Sequence, residues 1–231
     1  MRLIPASGGS YIRKALADTY VRTIIEILIA EADLSLLALV ARLLQKYTQH
    51  AQSGLEGALQ FLKTNQSLLK PEGEVIPEHI LTLTRAIYNL YQQSNEEIDL
   101  LRGAIVEAFT YELVRPRYEP GECLSNHRFL DGYGRQVTDQ VDVAALSRAK
   151  LQLEGYECKI KVDSIDSPDC TSLSHLVEVA PNWDYRPHVG IVTFDEETTM
   201  KRKLARLYPA PSIKLYGLNS IFTLRHTPFS I

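Results

Sequence analysis

Seven residues, His188 to Phe194, constrain the fold more than any other stretch of this chain. Val189, Gly190, Ile191 and Val192 make a short, almost uniformly apolar run of the kind that suits a strand buried on both faces. A strand buried on both faces needs a layer over each, so the flanking segments must supply helices as well as further strands.

They supply both. Ser167-Pro168 opens a helix carrying Leu173, Leu176 and Val177 and stopped by Pro181. Glu196 to Leu207 reads as another, with Met200 and Leu204 inward and Lys201, Arg202, Lys203 and Arg206 outward. Ile213 to Leu224 reads as a closing strand or hairpin. Upstream, Leu124 to Leu130, Gln140 to Leu146 and Leu151 to Ile160 read as three sequential strands in an antiparallel meander, the first two joined by the Asp131-Gly132-Tyr133-Gly134 turn. Ser94 and Glu97 stand in capping-box spacing and start a helix striped by Ile98, Leu101, Ile105, Ala108 and Phe109, which ends at Arg115-Pro116. From Ser94 the order is therefore helix, three strands, helix, strand, helix, strand: an α/β protein with a mixed sheet flanked by helices.

Residues 1–93 read differently, as an all-helical region ahead of a domain at 94–231. Ala6-Ser7-Gly8-Gly9-Ser10 is a flexible lead-in, and with no Gly-Lys-Ser/Thr after it this is not a phosphate-binding loop. Apolar residues at helical spacing run from Leu16 through Ile24, Leu28, Leu37 and Leu44, with a break near Asp33. Leu55, Leu59 and Leu62 suggest a short helix, and Pro77-Glu78 opens another. His50 and His79 stand singly, so no catalytic constellation emerges there. Homodimerisation, substrate clamping, or covering a face of the following domain are the roles open to this region.

Composition narrows the class. A net charge of -3 gives no general basic footprint, so any nucleic-acid binding must come from a local surface. Three cysteines without CxxC spacing argue against a disulfide framework or a structural zinc site, and point to a reducing cytoplasm. Val21 to Leu44 is long enough to cross a bilayer, but Glu26, Glu31 and Asp33 interrupt it, and no membrane association is expected. No GxSxG, HExxH or GxGxxG occurs, so neither a zinc protease nor a nucleotide-cofactor enzyme is indicated.

The chemistry concentrates in the meander. Asp142 interrupts an otherwise apolar strand. On the next, Glu157 and Lys159 point one way while Tyr156, Cys158 and Ile160 point the other. Projection of Asp142 onto the Glu157 face would join two acids and one cation in a compact site; the bland alternative is a Glu157–Lys159 ion pair on an exposed strand. Glu107, opposite the stripe of its helix, reads from periodicity as solvent-facing.

This constellation, in this order of elements, resembles the PD-(D/E)XK nuclease superfamily, across about Ser94 to Leu224. The resemblance implies a restriction-endonuclease-like core and a metal-dependent endonuclease acting on DNA, with RNA differing only in what the groove admits. It puts magnesium, with manganese as substitute, on Asp142 and Glu157, with the Cys158 carbonyl as a further ligand and Lys159 beside the attacking water. Glu107, following Arg102-Gly103, looks like the helical acid that completes such sites. Val141 stands where the family has proline. Lys161, Lys201, Arg202 and Lys203 become candidates for phosphate contact. His175 faces substrate or solvent, and Trp183, Tyr185 and Arg186 stack on a base or fill a loop. The alternative is a catalytically inactive nuclease-like binding or assembly module.

Overall fold

The computed structural model describes residues 1–6, 11–46, 77–93, 95–207 and 212–229. The chain divides into two compact units, Arg13–Ile105 and the pair Met1–Ile12 with Val106–Ile231. The division falls inside a helix and returns the first residues to the C-terminal unit, whereas the sequence reading places its boundary at 93/94. Of the expected lead-in, Ala6 is described and donates its N–H to the Asn126 carbonyl at 3.0 Å, while residues 7–10, the Leu55–Leu62 helix, His50 and the Ser94 cap lie outside the described residues.

The helical unit contains α1 (Tyr11–Ala17) from Arg13 onward, α2 (Thr19–Glu31), α3 (Leu34–Lys46), α4 (Glu78–Leu90) and the first half of α5 (Asn95–Val114). Asp18 caps α2 by accepting from the N–H groups of Tyr20 and Val21, each at 2.9 Å. The break expected near Asp33 is present. Ala32 adopts a left-handed φ of 50°, and Asp33 accepts from the Ser35 N–H at 2.7 Å to start α3. Arg102 is buried and donates from Nε to the Leu44 carbonyl at 2.7 Å, satisfying a carbonyl in the last turn of α3. That contact holds Arg102 within the helical unit. Among the described residues no helix is long and apolar enough to cross a membrane.

The second unit is built on one mixed sheet of six strands: β1 (Arg2–Pro5), β2 (Cys123–Leu130), β3 (Val141–Ser147), β4 (Gln152–Lys159), β5 (Arg186–Thr193) and β6 (Ile213–Tyr216), in that spatial order. The first four pair antiparallel; β4, β5 and β6 are parallel. Parallel neighbours need crossovers, which α6 (Ser167–Val179) and α7 (Glu197–Leu207) provide. From α5 onward the order of elements is the one expected from periodicity.

Two expectations are corrected. The N-terminal region is not all helical, because β1 adds an edge to β2, with Arg2 opposite Leu130. The closing strand is short. After Tyr216, Glu197 accepts from the Gly217 N–H at 3.1 Å and from the Ser220 hydroxyl, drawing the chain off the ladder into the 3-10 turn Ile221–Arg225.

One sheet face packs on α6 and α7 through Ala144, Leu146, Leu153, Val189 and Ile191 against Leu173, Leu176, Met200 and Leu204. Helix α6 rides close on β4: a Cβ at Gly155 would lie 3.2 Å from Leu176 Cδ2. On the other face the C-terminal half of α5 runs past Cys123 and Cys158, and Phe109 meets Phe194 edge-on at 6.0 Å.

Candidate active site

Pairing between β3 and β4 ends at Val143 opposite Tyr156, one step short of Asp142 and Glu157. There the alternation of β3 slips. Val141 and Ala144 both enter the core on the α6 side, which strict period-two geometry forbids for residues three apart. Asn126, between the paired residues Ser125 and His127 of β2, carries the matching irregularity, a left-handed φ of 54° that asparagine tolerates better than most residues. Asp142 sits at the slip. Its Oδ2 accepts from the Cys158 N–H at 2.8 Å, so a side chain replaces the missing ladder bond and the carboxylate lies in the mouth between two splayed strands.

Glu157 and Lys159 share the face toward α6, as the alternation requires. Lys159 Nζ lies 3.8 Å from Glu157 Oε2 and 3.1 Å from Asp169 Oδ1. The same Asp169 carboxylate closes the capping box of α6: its Oδ2 accepts from Asp166 N–H, and Asp166 Oδ1 accepts from Asp169 N–H, both at 3.0 Å. The start of α6 thereby fixes the lysine. Sequence reasoning missed Asp169 because the residue looks like an ordinary cap acid, which it also is.

Glu107 reaches the group from α5, on the Cys158 side, and is half-buried there. Val106, Ala108, Phe109, Thr110, Leu113 and Val114 are all buried, while Gly103, Glu107 and Tyr111 form a half-buried stripe opposite them, where the periodicity places Glu107. Burial first, and the Asp142 charge second, push the Glu107 carboxyl up to about 8 against the opposing pull of Lys159. Burial and the charge of Asp142 likewise hold Glu157 well above the usual carboxylate range, and a hydrogen bond with Asp142 favours its protonated form. Burial works against the Lys159 ammonium, but Asp142, Glu157 and Asp169 outweigh it and keep the group above the ordinary lysine value. The Cys158 thiol is buried and pushed up strongly, leaving the main chain of that residue as its available donor.

The cluster therefore holds more acid than cation. Asp142, Glu157 and Glu107 offer hard oxygen ligands, and the protonation of buried acids is what the absence of compensating charge dictates. These donors fit a magnesium or manganese ion held by one or two carboxylates with the Cys158 carbonyl beside them. Among the described residues, no group of three or more His, Cys, Asp or Glu side chains is drawn together as a ready metal cage.

The remaining candidates separate. Lys161 is half-buried where the chain enters the 3-10 turn Val162–Ser164. Lys201 and Arg202 are exposed on α7. Arg202, Lys203 and Arg206 line an open groove of about 470 Å³ with Val162 and Asp163, where Lys203 lies 3.7 Å from Asp163. His175 bonds through Nδ1 to the Val137 carbonyl at 2.8 Å. Tyr185 is buried and fills the core, Arg186 lies over Phe229, and Trp183 stays half-exposed against the β2–β3 turn.

No protein-family model matches the chain, and no curated protein matches it by sequence.

Proposed function

We propose that the sheet unit is a restriction-endonuclease-like core and that the protein is a metal-dependent endonuclease hydrolysing DNA phosphodiester bonds. The observation that carries this reading is the splayed end of β3 and β4, where Asp142, Glu157 and Lys159 meet with Glu107 alongside. Asp142 and Glu157 would hold magnesium, with Glu107 and the Cys158 carbonyl completing the donor set. When bound, the ion supplies charge for the phosphate oxygens and acidifies a water. Lys159, held by Asp169, orients the attacking water through its N–H donors and offsets charge developing on the phosphate. The basic face of α7 offers the phosphate backbone a landing surface. Plasmid incubated with magnesium or manganese is nicked or linearised by the wild type and left intact by Lys159→Ala; equal behaviour of the two sinks the catalytic role.

A second reading, an inactive nuclease-like binding or assembly module, draws on the absence of a ready three-ligand cage among the described residues and on the engagement of Lys159 by Asp169. Isothermal titration with manganese separates them: heat that vanishes in Asp142→Ala supports the enzyme, and no heat in the wild type supports the module.

A further inference from the structure

Two cavities of about 540 and 520 Å³ join through shared walls at Gln136, Val137 and His175 into one groove between the β2–β3 turn and α6. Its near end is lined by Asp139 and Pro168, the first three residues before Asp142 and the second beside Asp169, which holds Lys159. Its far end is walled by Tyr133 and Trp183. We propose that this groove seats single-stranded nucleic acid leading away from the acidic cluster, with an unpaired base stacking on the Tyr133–Trp183 pair. The ligand class rests on the nuclease reading; the stacking seat rests on the groove.

The far end is built to hold an aromatic surface in water. Tyr133 is 79% exposed, yet its backbone is fixed. Asp131 Oδ1 accepts from the N–H groups of Tyr133 and Arg135, and Oδ2 from Arg135 Nε, all at 2.9 Å. The Tyr133 and Trp183 rings meet edge to face with centroids 5.0 Å apart, and the Arg135 guanidinium lies 5.1 Å from the Tyr133 centroid. The indole rests directly on the turn: a Cβ at Gly132 would lie 2.0 Å from Trp183 Cζ3, so glycine is what admits the ring.

The groove's charges nearly cancel, so stacking rather than charge selects the ligand. The groove's two acids are engaged, Asp131 by Arg135 and Asp139 by Gln136 Nε2 at 2.6 Å. Arg128 donates to Gln136 Oε1 at 2.9 Å on the same rim. His175 donates its Nδ1 proton to a carbonyl, which leaves Nε2 as the remaining polar atom of that ring. Helix α6 spans 13 residues, about 20 Å, or roughly six nucleotides at duplex spacing. A paired base hides its faces in the duplex stack, so a stacking platform selects unpaired strand.

Trp183 is the chain's only tryptophan, so its emission reports on this groove alone. Metal-free full-length protein is titrated, at one fixed salt concentration, with an oligothymidylate and with a blunt duplex of equal length. The expected result is quenching by the single strand with affinity at least about tenfold above that of the duplex. Tyr133→Ala, which removes an exposed side chain, weakens that binding about tenfold, and Gly132→Ala shifts the emission by lifting the indole. Absence of quenching, equal affinity for duplex, or unaltered binding by Tyr133→Ala overturns the seat. Plasmid cleavage without quenching overturns the groove and spares the nuclease reading; quenching without cleavage does the reverse.

Discussion

Glu154 and Glu157 stand three residues apart on β4, on opposite faces and both buried, and their surroundings differ in kind. Glu154 is fully satisfied: Arg117 donates to its two oxygens at 2.7 and 2.6 Å, and the hydroxyls of Tyr118 and Tyr156 fill the remaining positions. Burial alone would weaken the Arg117 ammonium-like charge, but the bonds and charge of Glu154 reverse this and hold the guanidinium above its ordinary value. Glu157 instead faces Asp142 and shares one lysine, at 3.8 Å, with Asp169. Depth of burial therefore does not separate a structural acid from a ligand-seeking one. The balance of donors does, and a region left short of positive charge is the one with capacity for a cation.

The largest effect should come from the satisfied side. Glu154→Gln removes the countercharge of a buried guanidinium and is expected to cost about 3–5 kcal/mol in urea denaturation. A loss under about 1 kcal/mol would erase the contrast. On the other side the sign inverts. Asp142→Asn keeps an oxygen for the Cys158 N–H and removes the charge that pushes Glu157 and Glu107 up, so the metal-free protein gains roughly 1–2 kcal/mol while manganese binding is lost.

Protonation gives a third comparison. Glu107 carries a proton in the folded state up to about 8, against 4.5 for the unconstrained group. Between those values the folded chain binds more protons than the unfolded one, so stability present at low pH falls as pH rises through the window, by at most about 1.4 kcal/mol per unit. Chemical denaturation of metal-free protein across pH 5 to 8 reads this slope together with that of Glu157, and Glu107→Gln makes it shallower. The smallest effect runs oppositely. Burial holds His188, bonded to the Tyr216 hydroxyl at 2.6 Å beside the Glu154 cluster, below its ordinary 6.5. Its contribution is full above that pH and is lost as pH falls toward the folded value. NMR titration of the imidazole shows the depressed midpoint, and one above 6.5 contradicts the direction.

The strands, crossovers and helices of the sheet unit follow from periodicities that tertiary context leaves intact. The Glu157–Lys159 side-by-side arrangement is legible for the same reason, since two residues apart on a strand is a local relation. The rest depends on distant partners. Arg-Leu-Ile-Pro at β1 becomes a strand only because β2 accepts it, and β6 stops where Glu197 captures the chain. Asp142 reaches its position through a slip matched by Asn126 on another strand. Glu107 keeps the stripe its periodicity gives it, but its nearness to Asp142 depends on packing from another element, and the partner of Glu154 lies 37 residues away.

The pairing of Arg2 with Leu130 also sets a schedule for synthesis. At ribosomal speed the partner of β1 is made roughly 6 to 25 s after it, an interval in which all of Arg13–Ile105 is translated. A four-residue edge with unpaired main-chain groups must stay solvated through that delay. Substitutions that make β1 stickier should reduce soluble yield during expression without altering the finished protein's stability, because β1 is made long before the strand that receives it.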